Sequence, residues 1–299
     1  MSALSPIISS LVTRTGQFPI GFRLGFSEWQ KILEPVIAWA KENNIGVMDL
    51  RSNSDKGVDE VRAAGLQVGS TDLLDWHLLI SPDSGQRRDA VERNRAHIQK
   101  STKSGPMRFF TVMIPENRDL PRRENFDHMI SSYAELARTL EETDSQIVIE
   151  GWPGPGVLCC TPEGFRGLFD RIPSESIGVN YDPSHLVRMG IDPIRFLEEF
   201  QDRIYHVHAK DTLLLTDDLY EYGNLQPPTF AQPHSFGEMC WRYTIPGHGV
   251  VPWALIFQIL EKKSYKGAVC IELEDENFNG TIESEKQGLL LAASFLASR

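Results

Sequence analysis

Short runs rich in Val and Ile alternate with amphipathic runs along nearly the whole chain, and this alternation limits the fold more than any other feature. Strand-like segments are read at 20–26 (IGFRLGF), 46–52 (GVMDLRS), 66–74 (LQVGSTDLL) and 107–114 (MRFFTVMI). Four more follow at 146–152 (QIVIEGW), 176–182 (SIGVNYD), 204–210 (IYHVHAK) and 267–274 (GAVCIELE). Helix-like segments come after them at 27–44, 57–64, 83–105, 122–143, 162–171, 193–201, 252–264 and 284–297. Apolar strands separated by helices mark a parallel sheet covered on both faces. Eight such units in 299 residues fit one closed (β/α)8 TIM barrel better than an open doubly wound sheet. Residues 1–299 are therefore read as a single domain. Ser27 is expected to cap the first helix and Pro35 to kink it. No GxGxxG or P-loop signature follows an early strand, which removes the simplest nucleotide-binding readings.

One connection breaks the rhythm. Residues 212–250 stand between the seventh strand and its helix, far longer than an ordinary βα loop. Tyr220, Tyr222, Phe230, Phe236, Trp241 and Tyr243 argue against disorder there. An active-site lid is the expected role, with a subunit contact as the alternative.

The formal net charge is −11 and the pI near 5.2. A surface of that sign repels phosphate backbones, so nucleic acid is not an expected partner. No segment approaches 18 uninterrupted apolar residues, and the first 22 lack the basic and apolar regions of a signal peptide. Cys159, Cys160, Cys240 and Cys270 form no CxxC pair, and two of them are adjacent, which suits reduced thiols. A cytoplasmic protein without membrane association is expected. Its partners would be a small-molecule substrate and, as a further option, copies of itself.

In a TIM barrel the chemistry sits at the carboxyl ends of the strands. Four successive strands, the fifth to the eighth, end in an ionisable residue: Glu150, Asp182, His208 and Glu272. Each has a dull reading taken alone, such as a salt-bridge partner, a turn or a core histidine. Four together at the same end are hard to attribute to burial, because carboxylates in a barrel mouth without a counter-ion are costly. They are read as the ligands of a divalent cation. Three carboxylates and one imidazole suit Mn²⁺ first, with Mg²⁺ or Co²⁺ as alternatives. His206 shares a strand face with His208 one layer deeper, either behind that ligand or facing substrate. Lys210 continues the face and can meet an anionic oxygen, and His185 can contact a substrate hydroxyl. Arg242, His248 and Trp152 complete the candidate substrate contacts.

The segments EGWPGPG, NYDPSHL, HVHAKDT, IPGHGVVPW and CIELED together resemble the xylose isomerase-like TIM-barrel family of sugar (phosphate) isomerases and epimerases. The likeness spans nearly the whole chain and is strongest from Glu150 onward. It implies that Glu150, Asp182, His208 and Glu272 bind a divalent metal, that His185 contacts substrate, and that Glu150 and Glu272 exchange protons with a sugar carbon. Such a metal makes the proton α to a carbonyl acidic, and a glutamate then removes and returns it. Two features depart from ketose 3-epimerases of the family: PGPG at 153–156 replaces an extra Glu, and LLL at 213–215 replaces an Arg. The expected function is a metal-dependent keto-sugar isomerase or epimerase. The alternative is a β-eliminating lyase, hydratase or inosose-type dehydratase on the same site. A non-catalytic sugar-binding barrel and a DNA-repair endonuclease of the same superfamily rank below both.

Overall fold

A computed structural model describes residues 14–15, 18–51 and 55–299. The amino-terminal stretch read as lacking an export signal, and Ser52 at the end of the second strand segment, fall wholly or largely outside them. The chain comprises two compact units, Asp49–Tyr181 with Phe196–Val207, and the described residues up to Met48 with Asp182–Arg195 and His208–Arg299.

In the first of these, β4 (Gln67–Asp72), β5 (Arg108–Val112), β6 (Gln146–Glu150) and β7 (Ile177–Tyr181) pair in parallel, each with the next. Their interior is apolar, with Phe109, Ile147, Val148, Ile149, Ile177 and Val179 buried. The register sets Glu150 beside Asn180, so the last residue of one strand meets the amide of the next. Helices α2 (Asp55–Ala63), α3 (Ser84–Ser101), α4 (Arg122–Glu142) and α5 (Pro162–Arg171) separate the strands. The last begins as its sequence dictates: Thr161 accepts from the Gly164 N–H, and Pro162 occupies a position whose N–H would go unused.

The other unit pairs β2 (Phe18–Arg23) in parallel with β11 (Val269–Ile271), Phe22 opposite Ile271. One step further along, that register brings Arg23 alongside Glu272. Helices α1 (Leu33–Glu42), α6 (Pro183–Arg188), α9 (Trp253–Lys262) and α10 (Ile282–Ala297) belong here. The sheet order runs β1 (Arg14–Thr15), β2, β11, β8 (Ile204–Ala209), β7, β6, β5, β4, β3 (Val47–Leu50), and β2 also pairs with β3. Apart from the short antiparallel β1, these eight strands are parallel with helices between them, the alternation from which the sequence predicts a (β/α)8 barrel.

Two local expectations are corrected. Ser27 caps no helix: its hydroxyl donates to Glu285 at 2.6 Å, and only a 3-10 turn, Glu28–Gln30, follows it. The α-helix starts at Leu33, which puts Pro35 in the first turn, where a missing N–H costs nothing, so no kink is needed. The excursion after β8 is also more regular than a loop. β9 (Asp211–Leu214) and β10 (Trp241–Thr244) form an antiparallel hairpin, with α8 (Thr216–Tyr222) between them. No described helix is long and apolar enough to cross a membrane.

Candidate metal centre

Four strand ends carry the candidate ligands, three of them in one unit. Glu150 closes β6, Asp182 follows β7 and caps α6, His208 lies near the end of β8, and Glu272 follows β11. The ligand atoms of Asp182, His208 and Glu272, which share one unit, lie within 4.8 Å of one another. The side chains of Asp182 and His208 are shut off from solvent, and that of Glu272 is 16% exposed. Glu150 Oε2 accepts from Asn180 Nδ2 at 2.8 Å. Asp182 splits its two oxygens between different tasks. Oδ1 takes the Ser184 N–H at 2.9 Å and the Ser184 hydroxyl at 2.6 Å. Oδ2 accepts no hydrogen bond and lies 3.4 Å from both Lys210 Nζ and His185 Nε2. A buried carboxylate oxygen left in that state, beside two further carboxylates and an imidazole, fits a hard divalent cation.

Cations of the protein's own surround the same carboxylates. Lys210 is 1% exposed at its side chain and reaches Glu272 Oε2 at 2.6 Å, Glu274 Oε2 at 2.9 Å and Asp182 Oδ2 at 3.4 Å. Burial alone would lower its pKa, but Glu272, Glu274 and Asp182 outweigh that and hold the ammonium well above its ordinary range. Arg23 Nε lies 3.4 Å from Glu272 Oε1. The sequence reading missed Arg23, although the rule that found Glu150 covers it, since Arg23 is the last residue of its own strand. Glu274, Tyr243 and Asn180 were missed too. Nothing local marks them.

The remaining candidates occupy varied places. His185 joins Tyr243 Oη to Asp182: its Nδ1 is 2.6 Å from the phenol and its Nε2 is 3.4 Å from Asp182 Oδ2. His206 is fully buried with Nε2 2.8 Å from Asp49 Oδ2, so that nitrogen is engaged inside the protein. Arg242 turns to Asp275 at 3.1 Å and Glu276 at 3.2 Å. His248 is exposed in a turn, its ring 6.1 Å from that of Phe278. Trp152 packs on the cluster of Phe110, Val112, Val148, Val157 and Cys160.

Two carboxylates fix the root of the hairpin. Asp211 accepts the N–H groups of Thr212, Gly247 and Val251 at 2.9–3.0 Å. A Cβ at Gly249 would stand 2.2 Å from Asp211 Oδ1, so only glycine lets the chain wrap so closely. Asp275 accepts from Thr244 Oγ1 at 2.5 Å, the Ile245 N–H at 3.0 Å and the Asn277 N–H at 2.9 Å.

Known proteins agree with this architecture. An inosose dehydratase of Bacillus cereus (strain AH820) is 29% identical over 165 residues, 55% of this chain and 52% of that protein. One from Clostridium beijerinckii is 29% identical over 163 residues, 54% and 52% of the two chains. This chain thus spans about half the length of the curated relatives it matches. Among solved structures, 3-keto-D-glucoside 4-epimerase from E. coli superposes with a TM-score of 0.66 at 12% identity, covering 91% of this chain and 98% of that one. The IOLI protein with a bound zinc atom gives 0.65 at 15%, covering 93% and 98%. At such identities the structures speak for the fold alone. The family model of the xylose isomerase-like TIM barrel matches residues 27–298, and the chain belongs to that family.

Proposed function

We propose that the protein is a divalent-metal-dependent enzyme that removes and returns the proton α to a carbonyl in a keto sugar or related polyol, as an isomerase or epimerase. The observation that carries this reading is the convergence of Asp182, His208 and Glu272 within 4.8 Å, and Glu150 at the same end of its own strand joins them in the proposed ligand set. A bound cation, Mn²⁺ first, then Mg²⁺, Co²⁺ or the zinc seen in the IOLI protein, would supply Lewis acidity toward a carbonyl and a neighbouring hydroxyl. Glu150 and Glu272 carry the proton to and from carbon. Asn180 orients the first through its amide, and Lys210 and Arg23 orient the second. The Lys210 ammonium offsets negative charge that builds on a substrate oxygen. Return of the proton to the opposite face gives an epimer, and return to the adjacent carbon gives the isomer.

The dehydratase names of the curated relatives favour a second reading. The same C–H bond breaks, the C–O bond one carbon further breaks with it, a C=C bond forms, and water leaves. A reducing, cytoplasmic setting belongs to the proposal, supported by four buried cysteines that form no disulfide.

Incubation with Mn²⁺ in D₂O against ketoses, keto-glycosides and inososes tests both readings. Deuterium α to the carbonyl with an epimer or isomer as product supports the first, and a dehydrated product the second. Glu150→Gln is expected to lower kcat about 10²–10⁴-fold. Absence of exchange with every substrate would overturn the enzyme reading.

A further inference from the structure

We infer that Tyr243 is a positioning residue that couples the 211–244 hairpin to the metal ligands, so that the seating of the hairpin sets the affinity for the cation. The inference rests on the metal reading above and adds to it a residue outside the ligand set. Tyr243 lies on β10, paired with Thr212 on β9, and is 3% exposed. Two arms leave its side chain. The phenol oxygen is 2.6 Å from His185 Nδ1, and His185 Nε2 is 3.4 Å from Asp182 Oδ2. The ring face lies 4.4 Å from Lys210 Nζ, a cation–π contact, and Lys210 reaches Asp182, Glu272 and Glu274. One aromatic residue of the hairpin therefore touches two of the four ligands, each through a single intermediary.

Its own placement belongs to the hairpin. The Tyr243 N–H donates to the Phe236 carbonyl, and its neighbour Thr244 is held by Asp275. Arg188 stacks over Trp241 at 4.5 Å and Tyr243 at 5.4 Å, closing the outer side. Burial keeps the phenol protonated, and in the proposed arrangement it donates to His185 Nδ1. With the phenol donating to Nδ1, His185 must carry its own hydrogen on Nε2, directed at Asp182 Oδ2. At 3.4 Å that N–H is no hydrogen bond, but it turns its positive end toward the carboxylate oxygen that Ser184 leaves unused. Partners of this kind behind metal ligands change affinity about 10–100-fold when removed.

Tyr243→Phe separates the two arms, because it keeps the ring over Lys210 and removes only the hydroxyl. Mn²⁺ affinity, measured by electron paramagnetic resonance titration of the full chain, is expected to fall about 10-fold or more. The Tm of the metal-free chain should change by no more than a few degrees, since one hydrogen bond contributes about 1 kcal/mol. Phe230→Ser, at the exposed tip, should bind Mn²⁺ as the unaltered chain does. Equal affinity in Tyr243→Phe and the unaltered chain overturns the coupling while leaving the metal site standing. Failure of the unaltered chain to bind Mn²⁺, Mg²⁺, Co²⁺ or Zn²⁺ overturns the metal reading and the coupling with it. Should Tyr243→Phe not fold, nitrogen NMR of the metal-free unaltered chain decides: an Nδ1–H tautomer at His185 overturns the inference, and an Nε2–H tautomer supports it.

Discussion

At the root of the 211–244 excursion, two buried carboxylates gather backbone N–H groups and side-chain donors, while at its tip Leu225 and Phe230 are 88% and 99% exposed. Both ends belong to one insertion, yet different physics governs them. The root is specified by polar groups that water no longer serves, where each lost partner is expensive. The tip has far fewer such ties, chiefly His234 beside Glu276 at 3.3 Å. The contrast teaches that aromatic content was a poor guide to burial in this segment: Tyr243 is buried, whereas Phe230 and Tyr220 are exposed.

The two root carboxylates also differ. Burial raises the pKa of Asp211 more than the N–H groups of Val251, Gly247, Thr212 and Gly249 lower it. Asp275 feels burial as well, but the Thr244 hydroxyl, the N–H groups of Asn277 and Ile245, and the Arg242 guanidinium outweigh it, and its pKa is lowered. One is a clamp of neutral dipoles, the other a clamp with a cation in it.

The largest expected effect breaks the root. Asp275→Ala strands the Thr244 hydroxyl, the Ile245 N–H and Arg242 together, and should cost about 3–5 kcal/mol in urea unfolding. A loss below about 1 kcal/mol would mean that water serves those donors and that the root is no better specified than the tip. A smaller effect follows in acid. Because the folded pKa of Asp275 is depressed, its contribution is fully present above the ordinary value of 3.8 and is lost as pH falls below it. Asp211 runs the other way: its raised pKa means that protonation favours the folded state. Below pH 3.8, hydrogen exchange should therefore quicken at the Ile245 amide before the Val251 amide. The reverse order would dismiss the distinction between the two clamps. The smallest effect tests the tip. Phe230→Ser should change stability by no more than about 0.5 kcal/mol, and a larger loss that depends on protein concentration would show that copies of the chain cover it.

Much of the barrel was legible because each strand announces itself locally, as a Val- and Ile-rich run of the right length followed by a helix. The candidate ligands were legible for a related reason, since an ionisable residue at the end of an apolar strand conflicts with burial. What stayed hidden depends on partners far apart in sequence. Arg23 meets Glu272 only because β2 and β11 are neighbours, and Tyr243 meets His185 only because β10 folds back on β9. The pairing of β9 with β10 also stayed hidden, since the donors that define its root converge on Asp275, which lies beyond the next helix. Pro35 misled through position alone: a proline kinks a helix it interrupts but not one it begins.

Asp211 and Thr244 face each other across the hairpin, so the chain enters and leaves the excursion at one point. The exposed stretch beyond the two strands can change in length and composition without moving those ends. Over evolutionary time residues 224–233 are thus free to drift like a separate cassette while Lys210, His185 and Tyr243 keep their places. Kinship among such chains is better judged by the residues at the barrel mouth than by the size or sequence of the loop above it.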